Sequence, residues 1–285
     1  MEEETQHVPR RAFLRVALAT TVSVALTAQR TPAAAFNRNH LQVWSCGGLA
    51  EAFMPLNAQY EKQTGVRIDY TGAFAAALGK SLLGSAVTEV FGGRVLDLAK
   101  KLRTAGKMLY FKPLCFTSYV LVTPKGNPAG IHEVKDLARP GVRVVLAPDA
   151  SPPGGPAVQT LLKKAGVLDA AMKSAVTLGS CVQRTMDDII GGKGDVSVVE
   201  LRVTRMPAFV GKMEVLPIPD EYFPPPPLTF TIGVMKDAKD RALADHYVDF
   251  VTSAEGQAFF ERSGFIPAAS KQGRELIAKL GVHDA

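Results

Sequence analysis

Residues 41–70 read LQVWSCGGLAEAFMPLNAQYEKQTGVRIDY. Leu41–Trp44 has the apolar character of a short strand. Ala50–Gln63 is amphipathic and meets a stop at Gly65, which predicts a helix. Val66–Tyr70 alternates apolar and polar, the signature of a second half-buried strand. A strand, a helix and a strand in this order predict an α/β sheet with mostly parallel strands.

The same grammar extends in both directions. Helices are expected over 75–83 and 96–105, the latter stopped at Gly106, and over 156–165 and 182–191. Strands are expected over 118–122, 142–147, 175–178 and 195–201. Pro224–Pro227 is a run that can enter neither a helix nor a sheet interior. It leads into a strand at 228–235, and the end of the chain (238–263 and 273–280) reads as helical. Phe116–Val122 and Leu228–Gly233 are β-rich and isolated by turn chemistry, so they read as two crossings between lobes. Lobe 1 would then be residues 40–117 with 228–285, and lobe 2 residues 118–227. No internal repeat is visible.

The chain has 285 residues, 47% of them hydrophobic and 21% charged, enough to bury one large or two ordinary cores. Three cysteines and five histidines exclude a disulfide-stapled scaffold and a cysteine-rich zinc module. His40, His132 and His246 lack an i, i+4 metal spacing and read as surface residues; no cofactor is implied. The net charge is +6, but no basic block is interleaved with aromatics, so nucleic acid is not an expected partner.

The N-terminus is an address. Arg10–Arg11 precede Phe13–Leu14–Arg15, an apolar run Val16–Ala28 and the small residues Ala33–Ala35. A charged region, a short apolar stretch and a small-residue cleavage site are the parts of an export signal. The run rises only about 20 Å as a helix, short of a roughly 30 Å bilayer core. Paired arginines mark the twin-arginine export machinery as the route. Cleavage near Ala35 would release a periplasmic protein. Trp44 and the polar Asn37–His40 argue against a lipid anchor on Cys46.

In sequence order, Leu49–Phe53, Tyr60–Val66, Glu89–Phe91, Tyr119–Gly126, Pro148–Pro156, Val182–Ile190, Asp195–Leu201, Phe250–Ser253, Glu255–Phe260 and Gly264–Phe265 resemble the periplasmic molybdate-binding protein family. Tyr119–Gly126 is similar to that family's Leu-Val-Leu-Val-x-Pro-Lys-Gly crossing strand. The resemblance spans almost the whole mature chain. It implies a two-lobed type II periplasmic-binding-protein fold and a monomer that serves an ABC transporter permease by trapping a small ligand.

The family holds a tetrahedral oxyanion with serine hydroxyls, a tyrosine hydroxyl and backbone amides at helix N-termini, where the dipole favours negative charge. Carried onto this chain, the first-loop serine becomes Gly48, within Ser45, Cys46, Gly47 and Gly48. The second-loop serines fall on Phe74, Ala75 and Ala76, next to Ala73, and the tyrosine becomes Glu200. Amides of Gly47, Gly48, Ala75 and Val182 would remain as donors. Arg94, after Gly92–Gly93, reads as a loop residue able to fork onto an oxyanion or carboxylate. Ser151 lies in a loop that can approach through its amides. Glu200 ends a strand, where α/β clefts collect ligands, or pairs with Arg94 or Arg202. Arg184 reads as exposed.

Cys46 and Cys181 stand at two predicted helix starts, and Cys115 lies beside the crossing strand. Thiols there suit a soft metal or metalloid, while three small buried residues is the plainer reading. Capture of a molybdate- or tungstate-type oxyanion is the leading expectation. A thiol-bound soft metal, a periplasmic ligand sensor and, more remotely, a cysteine enzyme are the alternatives.

Overall fold

The computed structural model describes residues 36–150, 154–223 and 229–284. The opening unit is as read: β1 (His40–Cys46), α1 (Ala50–Thr64) and β2 (Arg67–Ala73), with β1 and β2 parallel and Cys46 opposite Ala73. Leu41 and Val43 are buried on the face that receives Phe53, Leu56 and Tyr60 from α1. Gly65 ends that helix at φ 75°, a left-handed conformation that costs glycine nothing.

Next come α2 (Ala75–Leu83), β3 (Val90–Arg94), α3 (Leu96–Thr104) and β4 (Met108–Phe116). β3 corrects the expectation of a loop at Arg94. Gly92 and Gly93 read as a turn, yet all five residues of β3 are buried in a central strand. A Cβ on Gly92 would lie 3.1 Å from the Phe53 ring and 3.2 Å from Ser45 Cβ. Glycine is there for close packing between β1 and α1.

The first crossing proves to be two strands rather than one. β4 ends at Phe116 and β5 (Tyr119–Pro124) begins in another sheet, so Thr117–Ser118 makes the connection. There follow β6 (Val144–Leu146), α4 (Gly154–Lys164), α5 (Leu168–Lys173), β7 (Ala175–Leu178), α6 (Val182–Ile190), β8 (Ser197–Glu200), α7 (Leu201–Thr204) and β9 (Met213–Pro217). The strand expected over 195–201 thus stops at Glu200. The chain closes with β10 (Thr229–Met235), α8 (Arg241–Thr252), α9 (Ala254–Arg262), β11 (Ile266–Pro267) and α10 (Lys271–Leu280). The helical stretch expected over 238–263 breaks at Ser253, whose hydroxyl accepts the Gly256 N–H and restarts the helix. Pro224–Leu228, at the second crossing, lies outside the described residues.

One sheet runs β11-β4-β10-β3-β1-β2, a second β8-β5-β9, and β6 pairs with β7. β1 is parallel to β2 and β3, and β6 to β7. The pairs β10–β3, β10–β4, β11–β4, β5–β8 and β5–β9 are antiparallel. The large sheet is therefore mixed and the three-stranded sheet antiparallel, with fewer parallel pairs than expected. Strands that leave one sheet and return, such as β10, run against their neighbours, and strand–helix alternation carries no trace of that direction.

Helices cover both faces of the large sheet. On one face Phe53 meets Phe260 edge-on at 5.4 Å and Tyr60 meets Tyr247 at 5.1 Å. Such pairs contribute about 0.5–1.5 kcal/mol each beyond their burial. On the other, Leu78 and Leu82 of α2, Leu102 of α3 and Leu276 of α10 pack on Phe91 and Phe111. In the second sheet, Val120, Val122 and Val199 pack on Met186 and Ile189 of α6.

Candidate functional site

β1 and β3 are adjacent and parallel, and the chain leaves them for opposite sides of the sheet. Their C-terminal ends, Cys46 and Arg94, therefore flank a topological switch point, where open α/β sheets bind ligands. The C-terminal end of β8 in the second sheet meets this point.

Arg94, 6% exposed, donates through Nη2 to Glu200 Oε1, so the two sheets are joined by a buried ion pair. Arg202 Nε donates to Glu200 Oε2 at 2.5 Å, and its Nη1 lies 3.9 Å from Glu51 Oε1. Burial pushes the Glu200 carboxyl up, but the Arg94 and Arg202 guanidinium groups overcome this and hold it below the ordinary range. Burial alone would depress Arg202, and Glu200 with Glu51 raises it instead. Glu200 thus sits as an internal anion between two guanidinium groups.

Not every polar atom here is satisfied. Arg94 Nε, Tyr119 Oη and Thr117 Oγ1 are buried without a hydrogen-bond partner among the described residues. Tyr119 opens β5 directly opposite Glu200. Its hydroxyl is pushed well up, first by burial and then by the Glu200 charge. Its ring is wedged edge-on against Phe223 at 5.5 Å. Arg94 stacks over the Phe230 ring at 5.3 Å. Orphaned buried donors are uncommon in folded proteins, and three around one ion pair mark a place that can accept a further polar partner.

Several of the expected site residues converge here. Ser45 is buried, its hydroxyl donating to the Cys46 carbonyl and bonding Tyr70 Oη at 2.6 Å. Burial pushes the Tyr70 hydroxyl up to about 12, against the pull of that bond. The Gly47–Gly48 turn is threaded between neighbours: a Cβ on Gly47 would lie 3.5 Å from the Ala73 carbonyl oxygen, and one on Gly48 3.5 Å from Arg202 Cζ. Arg202 thus rests over Gly48.

Others do not take part. Phe74 caps α2 with its ring 72% exposed, and Ala75 is half-buried behind it. Cys46 is a core residue, and the fully buried Cys115 thiol is pushed up by burial and then by Cys46, which places the two close together. Cys181 is exposed and bonds Gln183 Oε1 at 3.3 Å. No disulfide or hydrogen bond links Cys46 to Cys181. Val182 opens α6 half-buried, and Arg184 is exposed and pairs with Asp188. Ser151 lies outside the described residues. Among the described residues no group of three His, Cys, Asp or Glu side chains could hold a metal ion. His246 is not a plain surface residue: half-buried, it bonds Tyr60 Oη at 2.9 Å, and burial depresses its pKa.

The sequence reading does not bring out Tyr119 and Thr117 as site residues. The position of Tyr119 opposite Glu200 depends on strand register, which one sequence does not reveal.

Residues 41–266 match the family described as bacterial extracellular solute-binding protein. The chain belongs to that family. Molybdate-binding protein ModA of Mycobacterium tuberculosis is 25% identical over 236 residues, 78% of this chain and 83% of that protein. The substrate-binding domain of a putative molybdenum ABC transporter from Clostridium difficile superposes with a TM-score of 0.69 at 20% identity, over 80% of this chain and 98% of that one. The periplasmic molybdate-binding protein of Azotobacter vinelandii superposes at 0.63, also at 20% identity, over 79% and 98%. This solute-binding protein therefore has the two-lobed type II periplasmic-binding-protein fold, with Arg94 and Glu200 meeting from its two sheets. These relatives are binding proteins rather than enzymes.

Proposed function

We propose that the protein captures a small oxyanion of the molybdate or tungstate type between its lobes and delivers it to the permease of an ABC transporter. The observation that carries this is the buried Arg94–Glu200 ion pair with unpaired donors beside it. A carboxylate already occupies the position that an oxyanion would take. When the lobes part, Glu200 swings away with its own sheet and uncovers the Arg94 fork. The incoming oxyanion accepts from Arg94, Tyr119 Oη and the amides of Gly47 and Gly48, and closure about Thr117–Ser118 buries it. The relatives' names support the choice of anion; the loss of the serine and tyrosine hydroxyls sets the donor chemistry apart from the family pattern.

Within this reading, residues 1–35 are a twin-arginine-type signal removed near Ala35, in keeping with an extracellular family, and the lobes are 40–117 with 228–285 and 118–227. The test is calorimetric titration of the mature protein with molybdate, tungstate and sulfate, beside Arg94→Met. Saturable binding is expected, weakened about 10- to 100-fold in the variant, the worth of a charge-assisted hydrogen bond at a buried site. Indifference of the native protein to all three anions contradicts the proposal.

A further inference from the structure

Outside the buried ion pair, a cavity of about 170 Å³ opens where α1, the segment after α7 and the end of α9 come together. Arg202, Arg205 and Arg262 line it with Glu51, Met206 and Phe259. Three guanidinium groups thus face a single carboxylate. Among the described residues every arginine except Arg205, Arg262 and Arg274 has a carboxylate within ion-pair reach. Two of those three exceptions share this one cavity.

Both are fixed in place by something other than charge. Arg262 is held over the Phe259 ring, its Cζ 4.4 Å from the centroid. It sits in the last turn of α9, where a cation suits the helix dipole, yet its guanidinium donates to no carbonyl among the described residues. Arg205 and Arg202 pack against Gly264, at φ 82°: a Cβ there would lie 2.8 Å from Arg202 Cα and 3.0 Å from Arg205 Cγ. The turn is therefore pressed onto the arginines so closely that no side chain fits. The outcome is an excess of two positive charges around a small concavity with an apolar wall.

We infer that this cavity, lined from both sides of the lobe junction but distinct from the Arg94 site, is a second anion site that takes a small anion bearing two or more negative oxygens, of the polycarboxylate or phosphate class. Planar guanidinium forks match such groups bidentately, and Met206 and Phe259 accommodate a short carbon body. Arg202 links the two sites, since it also donates to Glu200. An anion in the cavity draws on the same guanidinium and loosens the hold on Glu200.

The test titrates citrate and inorganic phosphate, separately and at low ionic strength, into the mature protein, into Arg94→Met, and into Arg205→Ala with Arg262→Ala. Arg205 and Arg262 are exposed, so the double variant should fold, which a thermal melt checks. Saturable binding of at least one probe is expected in the native protein and in Arg94→Met. It should weaken about tenfold or more in the double variant, and fade as salt rises. Molybdate binding by the double variant should persist. No saturable binding of either probe, binding unchanged in the double variant, or binding lost only in Arg94→Met would each overturn the inference. The last result would place the anion in the cleft.

Discussion

The two ends of β3 carry buried charge in opposite ways. At its start, Glu89 accepts from the Gln42 N–H at 2.9 Å, the Lys239 N–H at 3.0 Å and Arg38 Nη1 at 3.2 Å. At its finish, Arg94 meets Glu200 while its own Nε and the nearby Tyr119 and Thr117 hydroxyls have no partner among the described residues. The first carboxylate fastens β1, β3 and the segment after β10 to one another, and its geometry leaves no room for anything else. The second joins two sheets and is surrounded by spare donors. Satisfied polar burial is structural; unsatisfied polar burial at the C-terminal end of a parallel strand is the mark of a site.

Glu89→Ala should show the largest effect of any single change at these two ends. It strips a half-buried guanidinium and two amides of their acceptor, and a loss of about 2–4 kcal/mol in urea unfolding is expected from the donors left unpaired. Oxyanion affinity of the remaining folded protein should be unchanged. A variant of native stability would erase the distinction between the two ends.

Glu200→Gln should act in the other sense. The internal competitor loses its charge, so oxyanion affinity is expected to rise about tenfold, equivalent to one modest electrostatic interaction. Its effect on stability should depend on pH. The folded Glu200 carboxyl lies below its ordinary value of 4.5, so its stabilising share is complete above that value and is lost as pH falls through the folded value. Acid unfolding of the native protein should therefore be steeper below pH 4.5 than that of Glu200→Gln. Parallel curves would mean that the pair with Arg94 contributes nothing.

Much of the scaffold was legible because its signals are local. Leu41, Val43 and Gly65 announce β1 and α1, and α2 and β7 fall on the residues expected, Ala75–Leu83 and Ala175–Leu178. β3 was hidden because Gly92 and Gly93 look like a turn, whereas Gly92 owes its presence to Phe53 and Ser45, neighbours distant in sequence. The site was half legible. Glu200 was singled out by its place at a strand end and Arg94 as a loop residue after Gly92–Gly93, and their pairing was one of the readings. Whether Cys46 and Cys181 were exposed could not be read, since a cysteine before a helix looks alike in a core and on a surface. The smallest effect follows from this: Cys46→Ser with Cys181→Ser should leave affinity for the solute within about twofold, because a buried and an exposed thiol without a shared contact offer no chelate. A collapse in affinity would restore the soft-metal alternative.

The most direct measurement is anomalous diffraction at the molybdenum edge from crystals of the mature protein grown with molybdate. A single peak within hydrogen-bond reach of Arg94 and Tyr119, with Glu200 displaced from the guanidinium, is expected. Molybdate found elsewhere, or absent, while the Arg94–Glu200 pair stays closed would contradict the exchange of one anion for another at this site.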